Sequence, residues 1–463
     1  MNLTPDLLRR RTQQFVLWRP ARVNASPRLI IGKYVGSDPP GLEDQREVDL
    51  SRDPRFEDVW TLDPADCGLA NGVYHYWFEV DSSNPYEPAR RVMRPIRPHR
   101  TVDWRLLAPA SVSPNDASVP AGVILVRDGS LMTCDPGGGE PAWSNDGELA
   151  EMPANNRTVI YELPTQWTRA ADEHGVEVAA GTFEDVLALV EPASASPNFA
   201  HIQALSAGQA HLLTLGVTTL ELLPIADSVI SLGWKYGTTN YFAPDHTLGL
   251  PDGKQVPEPN GDLARLVSTC HSAGIRFFLD AVMGFARQEP YAQINFSDFH
   301  VRWLDGRDPN RDPEQDDRNA WGGDLWKYNY STFGYDPIEG SATTMYPGRQ
   351  LMQAFIARWI LDQRIDGIRI DSVDTIYNWD FVGELRKYAR DLFRARAAGL
   401  GVNAGDADAR FLIVGETCRC RAASCAHGLT QCGTTSSSTR CAPRSWERSA
   451  RATPTSRLRS ARS

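Results

Sequence analysis

Four residues near the ends of apolar runs have the types and the spacing for acid–base chemistry. In Ile365-Asp-Gly-Ile-Arg-Ile-Asp371 the side chains of an extended strand alternate, so Arg369 and Asp371 share one face and Ile368 and Ile370 the other. Phe411-Leu-Ile-Val-Gly-Glu416 repeats the pattern, with Leu412, Val414 and Glu416 on one face, and so does the preceding run, with Arg276, Phe278 and Asp280. Three successive strands thus deliver Asp280, Asp371 and Glu416 to one rim, where active sites of parallel α/β folds lie. A lone acid after a strand is most often a helix N-cap; three on one rim beside an arginine are harder to explain that way. Two carboxyls are the minimum equipment for breaking a glycosidic bond, one attacking or stabilising the anomeric carbon and the other protonating the leaving oxygen. Arg369 is expected to hold Asp371 ionised, and Glu416, packed among apolar groups near a second acid, to keep its proton. No His-rich ligand set and no phosphate-cradling GKS/GKT loop accompanies them, which favours sugar chemistry over metal or phosphoryl chemistry.

The elements that must position these groups are legible as alternating strands and helices. Apolar runs at 158–162, 217–223, 275–280, 365–371 and 411–416 read as strands, and segments such as 199–215, 263–273 and 349–363 read as helices preceding the later ones. This alternation predicts a parallel sheet covered by helices and leaves open sheet against barrel undecided. Ahead of it, short runs at 15–18, 28–31 and 73–80, punctuated by Pro, Gly, Asp and Asn, predict an antiparallel sandwich over 13–104. In the last run Tyr74, Tyr76, Phe78 and Val80 form an aromatic face read as core, with Trp77 on the opposite face a weaker sugar-binding candidate. Residues 105–156, rich in Pro, Ser, Asn and Gly with one strand-like run at 123–126, read as a connection. The sheet-forming part is placed at 157–417, with an insertion at 286–345.

Composition bounds the alternatives. The 463 residues are 41% hydrophobic and 23% charged, as in globular proteins. No apolar run is long enough to span a bilayer, and no apolar segment follows Arg9, Arg10 and Arg11, so a cytoplasmic protein without membrane contact is expected. The net charge of −10 conceals a basic tail: residues 418–463 hold nine Arg and one acid, so the preceding 417 carry −18, a balance that disfavours nucleic acid as a ligand. Cys67, Cys134 and Cys270 are scattered, as in a reducing compartment, whereas Cys418, Cys420, Cys425, Cys432 and Cys441 crowd the tail. The tail lacks Val, Ile, Phe, Tyr and Met and is expected to be disordered. A zinc site or a basic arm are alternatives there; its abrupt onset resembles a translated wrong reading frame.

Gly367-Ile-Arg-Ile-Asp371 followed by Val373, and Val414-Gly-Glu416, resemble the second and third signature motifs of the alpha-amylase superfamily, glycoside hydrolase family 13. Asp280-Ala-Val-Met-Gly-Phe285 resembles an altered first motif, and Leu215 to Pro224 and Trp234 to Tyr241 resemble the second barrel strand and the loop behind it. The N-terminal sandwich resembles the modules preceding the barrel in branching, debranching and maltooligosyl-processing members. The resemblance implies an α/β fold, an incomplete TIM (β/α)8 barrel of about five strands behind a β-sandwich, acting with retention on α-1,4 or α-1,6 bonds of an α-glucan or maltooligosaccharide. It implies Asp371 as nucleophile, Glu416 as general acid then base, Arg369 as the nucleophile's partner, Tyr236 as a platform under the sugar (or a core residue), and Asp280 as an organiser of the pocket. The carboxyls of a retaining pair are expected about 5–5.5 Å apart. Where the family's first motif has Asn and His, this chain has Gly284 and Phe285, so no metal and no cofactor is expected. The fourth motif, an His-Asp pair, is not found after Glu416. Impaired activity, or a non-catalytic glucan-binding or vestigial protein, are the corresponding expectations.

Overall fold

The computed structural model describes residues 4–19, 25–35, 41–85, 91–94, 103–104, 121–143, 147–167, 181–192, 209–228, 234–249, 257–284, 291–302, 324–376, 378–417 and 431–434. The N-terminal part consists of two antiparallel sheets. Phe15–Trp18, Val59–Leu62 and Ser51–Arg52 form the smaller. The larger has seven strands and is centred on Gly72–Asp81, which pairs with Arg28–Val35 on one side and with Ala121–Arg127 and Arg91–Arg94 on the other. Tyr74, Tyr76, Phe78 and Val80 are buried. The Phe15 and Tyr76 rings meet edge-on at 5.5 Å, so the aromatic face is core between the sheets. Trp77 lies half-buried on the other face. Ala121–Arg127 falls within the stretch read as a connection, yet it hydrogen-bonds into the heart of this sheet. Its Val123, Ile124 and Val126 suit a strand, but its partner is about 50 residues earlier and leaves no local signature.

Six parallel strands follow: β1 (Ile160–Leu163), β2 (Thr219–Leu222), β3 (Arg276–Val282), β4 (Gly367–Asp371), β5 (Leu412–Thr417) and β6 (Gln431–Thr434). Their spatial order is their chain order, and every pairing is parallel. A doubly wound sheet would reverse order at a switch point; an unbroken order is the winding of a (β/α) barrel. The fold is therefore α/β, an incomplete TIM-type barrel behind an antiparallel β domain. Among the described residues the sheet does not close, and β1 and β6 are its edges. β6 corrects the expectation of disorder throughout 418–463: Gln431–Thr434 pairs with Val414–Thr417. The unpaired edge of β5 offers a row of backbone donors and acceptors, and pairing there asks little of side-chain composition. The rest of the tail lies outside the described residues.

Strand parity works as the alternation implies. Leu220, Leu222, Phe277, Leu279, Ala281, Ile368, Ile370 and Ile413 face outward into one hydrophobic core with helices α1 (Pro259–Ser272), α2 (Pro347–Leu361) and α3 (Trp379–Gly399). Proline opens α1 and α2, and Asn378 caps α3 by accepting the Phe381 N–H at 3.0 Å. The Asp135 carboxylate, from the turn after the N-terminal sheet, accepts the Asn260 and Gly261 amides at 3.1 and 2.9 Å, fastening that sheet to the start of α1. Of the helix expected over 199–215, only His211–Thr214 is seen; 199–208 lie outside the described residues. Between β3 and β4 lie two antiparallel strand pairs, His300–Arg302 with Asp324–Trp326 and Thr332–Tyr335 with Ala342–Met345; the second docks on the N-terminal part, where the Tyr335 amide donates to Asp58 at 2.8 Å. No helix among the described residues is long and apolar enough to cross a membrane.

Candidate active site at the carboxyl rim of the parallel sheet

Register fixes which inward side chains share a level. Asp280 on β3 lies opposite Arg369 on β4, Arg369 lies opposite Val414 on β5, and Asp371 and Glu416 sit one inward position nearer the carboxyl ends. The Arg369 guanidinium reaches all the neighbouring acids. Its Nη1 donates to both oxygens of Asp280 at 2.7 Å and to Asp371 Oδ1 at 3.2 Å. Its Nη2 lies 2.8 Å from Glu416 Oε2, and its Nε 3.9 Å from Glu221 Oε1. Tyr236, from the loop between β2 and β3, donates its hydroxyl proton to Asp280 Oδ2 at 2.9 Å and accepts from Arg369 Nη1 at 3.2 Å. Its ring centre lies 5.7 Å from the guanidinium carbon. The five residues singled out in the sequence, Asp280, Arg369, Asp371, Glu416 and Tyr236, thus converge on one rim.

Two members of the site escaped the sequence reading. Glu221 on β2 is buried and faces the same interior; a single acid in a Thr-Leu-Glu-Leu run reads as part of an apolar strand unless its parity is matched to that of Asp280. Ser372, directly after Asp371, adopts φ 41°, a left-handed conformation that is costly for a residue with a Cβ. The resulting turn aims its amide at Glu416 Oε2, 3.1 Å away. Nothing in the letters announces that dihedral.

The electrostatics are unbalanced, with four acids facing one cation. Burial first, then the charge of Asp280, pushes the Glu221 carboxyl up to about 8. Burial raises Asp280 to about 6 against the pull of Arg369. The expectation that Arg369 holds Asp371 ionised is corrected: burial, then Asp280, outweigh the lowering by Arg369 and drive Asp371 well above the usual carboxylate range, with Glu416 adding both charge and a hydrogen bond. Arg369, conversely, is held more firmly protonated by these acids. The cluster therefore retains protons near neutrality, with Glu416 its most exposed member at 27% side-chain exposure. Gly284, at the end of β3, has no room for a side chain, because a Cβ there would run into Thr375 Oγ1. The substitution in the altered first motif is thus accommodated by a threonine arriving just after β4.

Metal-ligand geometry occurs in one place among the described residues, away from this rim. Asp227, Asp245 and His246 hold ligand atoms within 4.8 Å of one another, all buried. Lys235 Nζ donates to Asp245 Oδ2 at 2.7 Å, and His246 Nδ1 lies 3.0 Å from Asp227 Oδ1, so the group carries its own protein cation.

Winding and rim together define a barrel-type α/β protein with an acidic carboxyl-end site. Residues 208–416 match the family model described as alpha amylase, catalytic domain. Over these residues the chain is similar to the alpha-amylase superfamily, glycoside hydrolase family 13. Among curated proteins it is similar to the 1,4-alpha-glucan branching enzyme GlgB of Methylobacillus flagellatus, 29% identical over 171 residues covering 37% of this chain and 19% of that protein. It is also similar to GlgB 2 of Streptomyces avermitilis, 27% identical over 255 residues covering 53% and 37%. Among solved structures, the pullulanase SAP of Group B Streptococcus shares the fold with a TM-score of 0.54 and 17% identity, over 90% of this chain and 46% of that one. The chain thus spans less than two fifths of these curated relatives and under half of that pullulanase.

Proposed function

We propose that the rim is the catalytic half-site of a retaining enzyme acting on α-1,4 or α-1,6 glucosidic bonds of an α-glucan or maltooligosaccharide. The observation that carries this reading is the shared guanidinium: Arg369 contacts Asp371 and Glu416 from neighbouring strands at once, so both carboxyls point into one mouth. Asp371, the more buried of the two, is the nucleophile, and Glu416, more exposed and held by the Ser372 amide, exchanges protons with the leaving oxygen and then with water. Arg369 balances the charge of Asp371 as the glycosyl–enzyme bond forms and breaks. Tyr236 offers a ring face beside the anomeric centre, and Asp280 fixes both Tyr236 and Arg369. The branching-enzyme relatives and the maltotetraose complex of the streptococcal pullulanase support a glucan as the substrate class. The test pairs a maltotetraose-binding measurement with a turnover assay on the full chain and on Asp371→Asn. Turnover by wild type alone, with binding by both, is expected; binding by both without turnover in either would establish a glucan-binding protein instead.

A further inference from the structure

The loop that carries Tyr236 is built against its own backbone preference. Trp234 and Lys235 are consecutive non-glycine residues at φ 56° and 68°, a left-handed pair that L-residues adopt only when something holds them. Trp234 is half exposed, whereas the Lys235 side chain is 6% exposed. A lysine that turns inward from a loop gives up hydration and chain freedom, so it needs a strong partner. It has one: Nζ donates to Asp245 Oδ2 and to Thr247 Oγ1, both at 2.7 Å. Asp245 is otherwise satisfied, by the Ser228 amide at 3.1 Å and by the Thr247 amide at 2.9 Å. Asp227, beside it, accepts from Thr239 Oγ1 at 2.9 Å and pairs with His246. One member of this buried acidic cluster, Asp245, thus takes as its cation the ammonium of the residue next to Tyr236.

We propose that Lys235 is a positioning residue: its ammonium, held by Asp245 and Thr247 at the edge of the Asp227–Asp245–His246 cluster, locks the left-handed turn and thereby sets the Tyr236 ring and hydroxyl against Asp280 and Arg369. The claim for the ammonium and the turn stands on geometry alone; the claim that this tunes sugar binding rests on the glucan reading above.

The test uses the full chain as wild type, Lys235→Gly and Lys235→Arg. Glycine relieves the dihedral while removing the cation, so the variant separates charge from backbone strain. Hydrogen–deuterium exchange of the 234–240 segment and maltotetraose binding by calorimetry are read with and without ethylammonium chloride, against sodium chloride at equal ionic strength. Expected are faster exchange in Lys235→Gly, maltotetraose binding weaker by about tenfold or more, recovery of both with ethylammonium but not with sodium, and near-wild-type behaviour of Lys235→Arg. Unchanged exchange in Lys235→Gly, or faster exchange that ethylammonium does not slow, overturns the lock. Faster exchange in Lys235→Gly that ethylammonium slows again, with no change in sugar affinity, overturns its role in binding. Failure of wild type to bind maltotetraose strikes the glucan reading and leaves the exchange result to judge the lock.

Discussion

The two ends of the parallel sheet hold their charges in opposite ways. At the amino end, Asp366 is fully buried and accepts from His271 at 2.8 Å, Arg396 at 2.7 Å and the Phe277 amide at 2.9 Å, and its carboxyl is pulled down to about 2 despite burial. Nearby Arg276 is buried and donates to Asn155 at 2.6 Å and to the Arg410 carbonyl at 2.9 Å. At the carboxyl end, four acids surround Arg369 and three of them are pushed up. The amino end sets one buried acid between two basic partners, and the carboxyl end holds surplus negative charge and unsettled protons. The first arrangement stabilises one fold; the second leaves groups whose needs a ligand can meet, which is why perturbed carboxyls mark functional sites.

Mutation breaks the contrast most sharply. Asp371→Asn is expected to lower glucan turnover by about a thousandfold or more while leaving the urea midpoint of the chain undiminished, since it relieves crowding among acids. A comparable loss of stability would mean that the rim is as structural as the opposite end. Asp366→Ala is expected to do the reverse, costing about 3–5 kcal/mol of folding stability because Arg396 and His271 lose a buried partner. Equilibrium denaturation followed by circular dichroism reads that loss directly. Gly284→Ala, which drives a methyl into Thr375, is expected to cost about 1–3 kcal/mol, read the same way, with the loss largely recovered in the double variant with Thr375→Ala.

The smallest effect sharpens the comparison through pH. A carboxyl at about 8 in the fold and near 4.5 in the unfolded chain binds its proton more tightly when folded. Its contribution to stability is thus complete below about pH 4.5 and is withdrawn as the pH climbs to about 8. Asp366, depressed to about 2, behaves oppositely: its contribution is complete above about pH 3.8 and is lost as the pH falls toward 2. Glu221→Gln is therefore expected to raise the thermal midpoint by roughly 2–4 °C at pH 9 and to change it little at pH 4. Equal shifts at both pH values would assign Glu221 a packing role rather than a titrating one.

The contrast also marks what could be read from the sequence. Strand parity placed Asp280, Arg369, Asp371 and Glu416 on one rim, because alternation is a local property and the chain order of a parallel barrel preserves it. Glu221 obeys the same parity, but a single acid among leucines carries no signal until the neighbouring strand is known to lie beside it. Ser372, Trp234 and Lys235 depend on dihedrals that residue type disfavours, so propensity points away from them. The pairing of Lys235 with Asp245, of Asp135 with the start of α1, and of Ala121–Arg127 with Gly72–Asp81 are long-range choices among many equivalent partners. The strand at Gln431–Thr434 defied its composition for the same reason: an open edge accepts a backbone, whatever the side chains.

In the proposed function Asp371 attacks a sugar while Glu416 handles the proton. Incubating the full chain with a 5-fluoro-α-glucosyl fluoride, which slows release of a glycosyl–enzyme ester, and mapping the adduct by peptide mass spectrometry tests it directly. One fluoroglucosyl group esterified to Asp371, absent in Asp371→Asn, is expected. Adducts confined to another carboxylate, or none on a chain that binds maltotetraose, would contradict it.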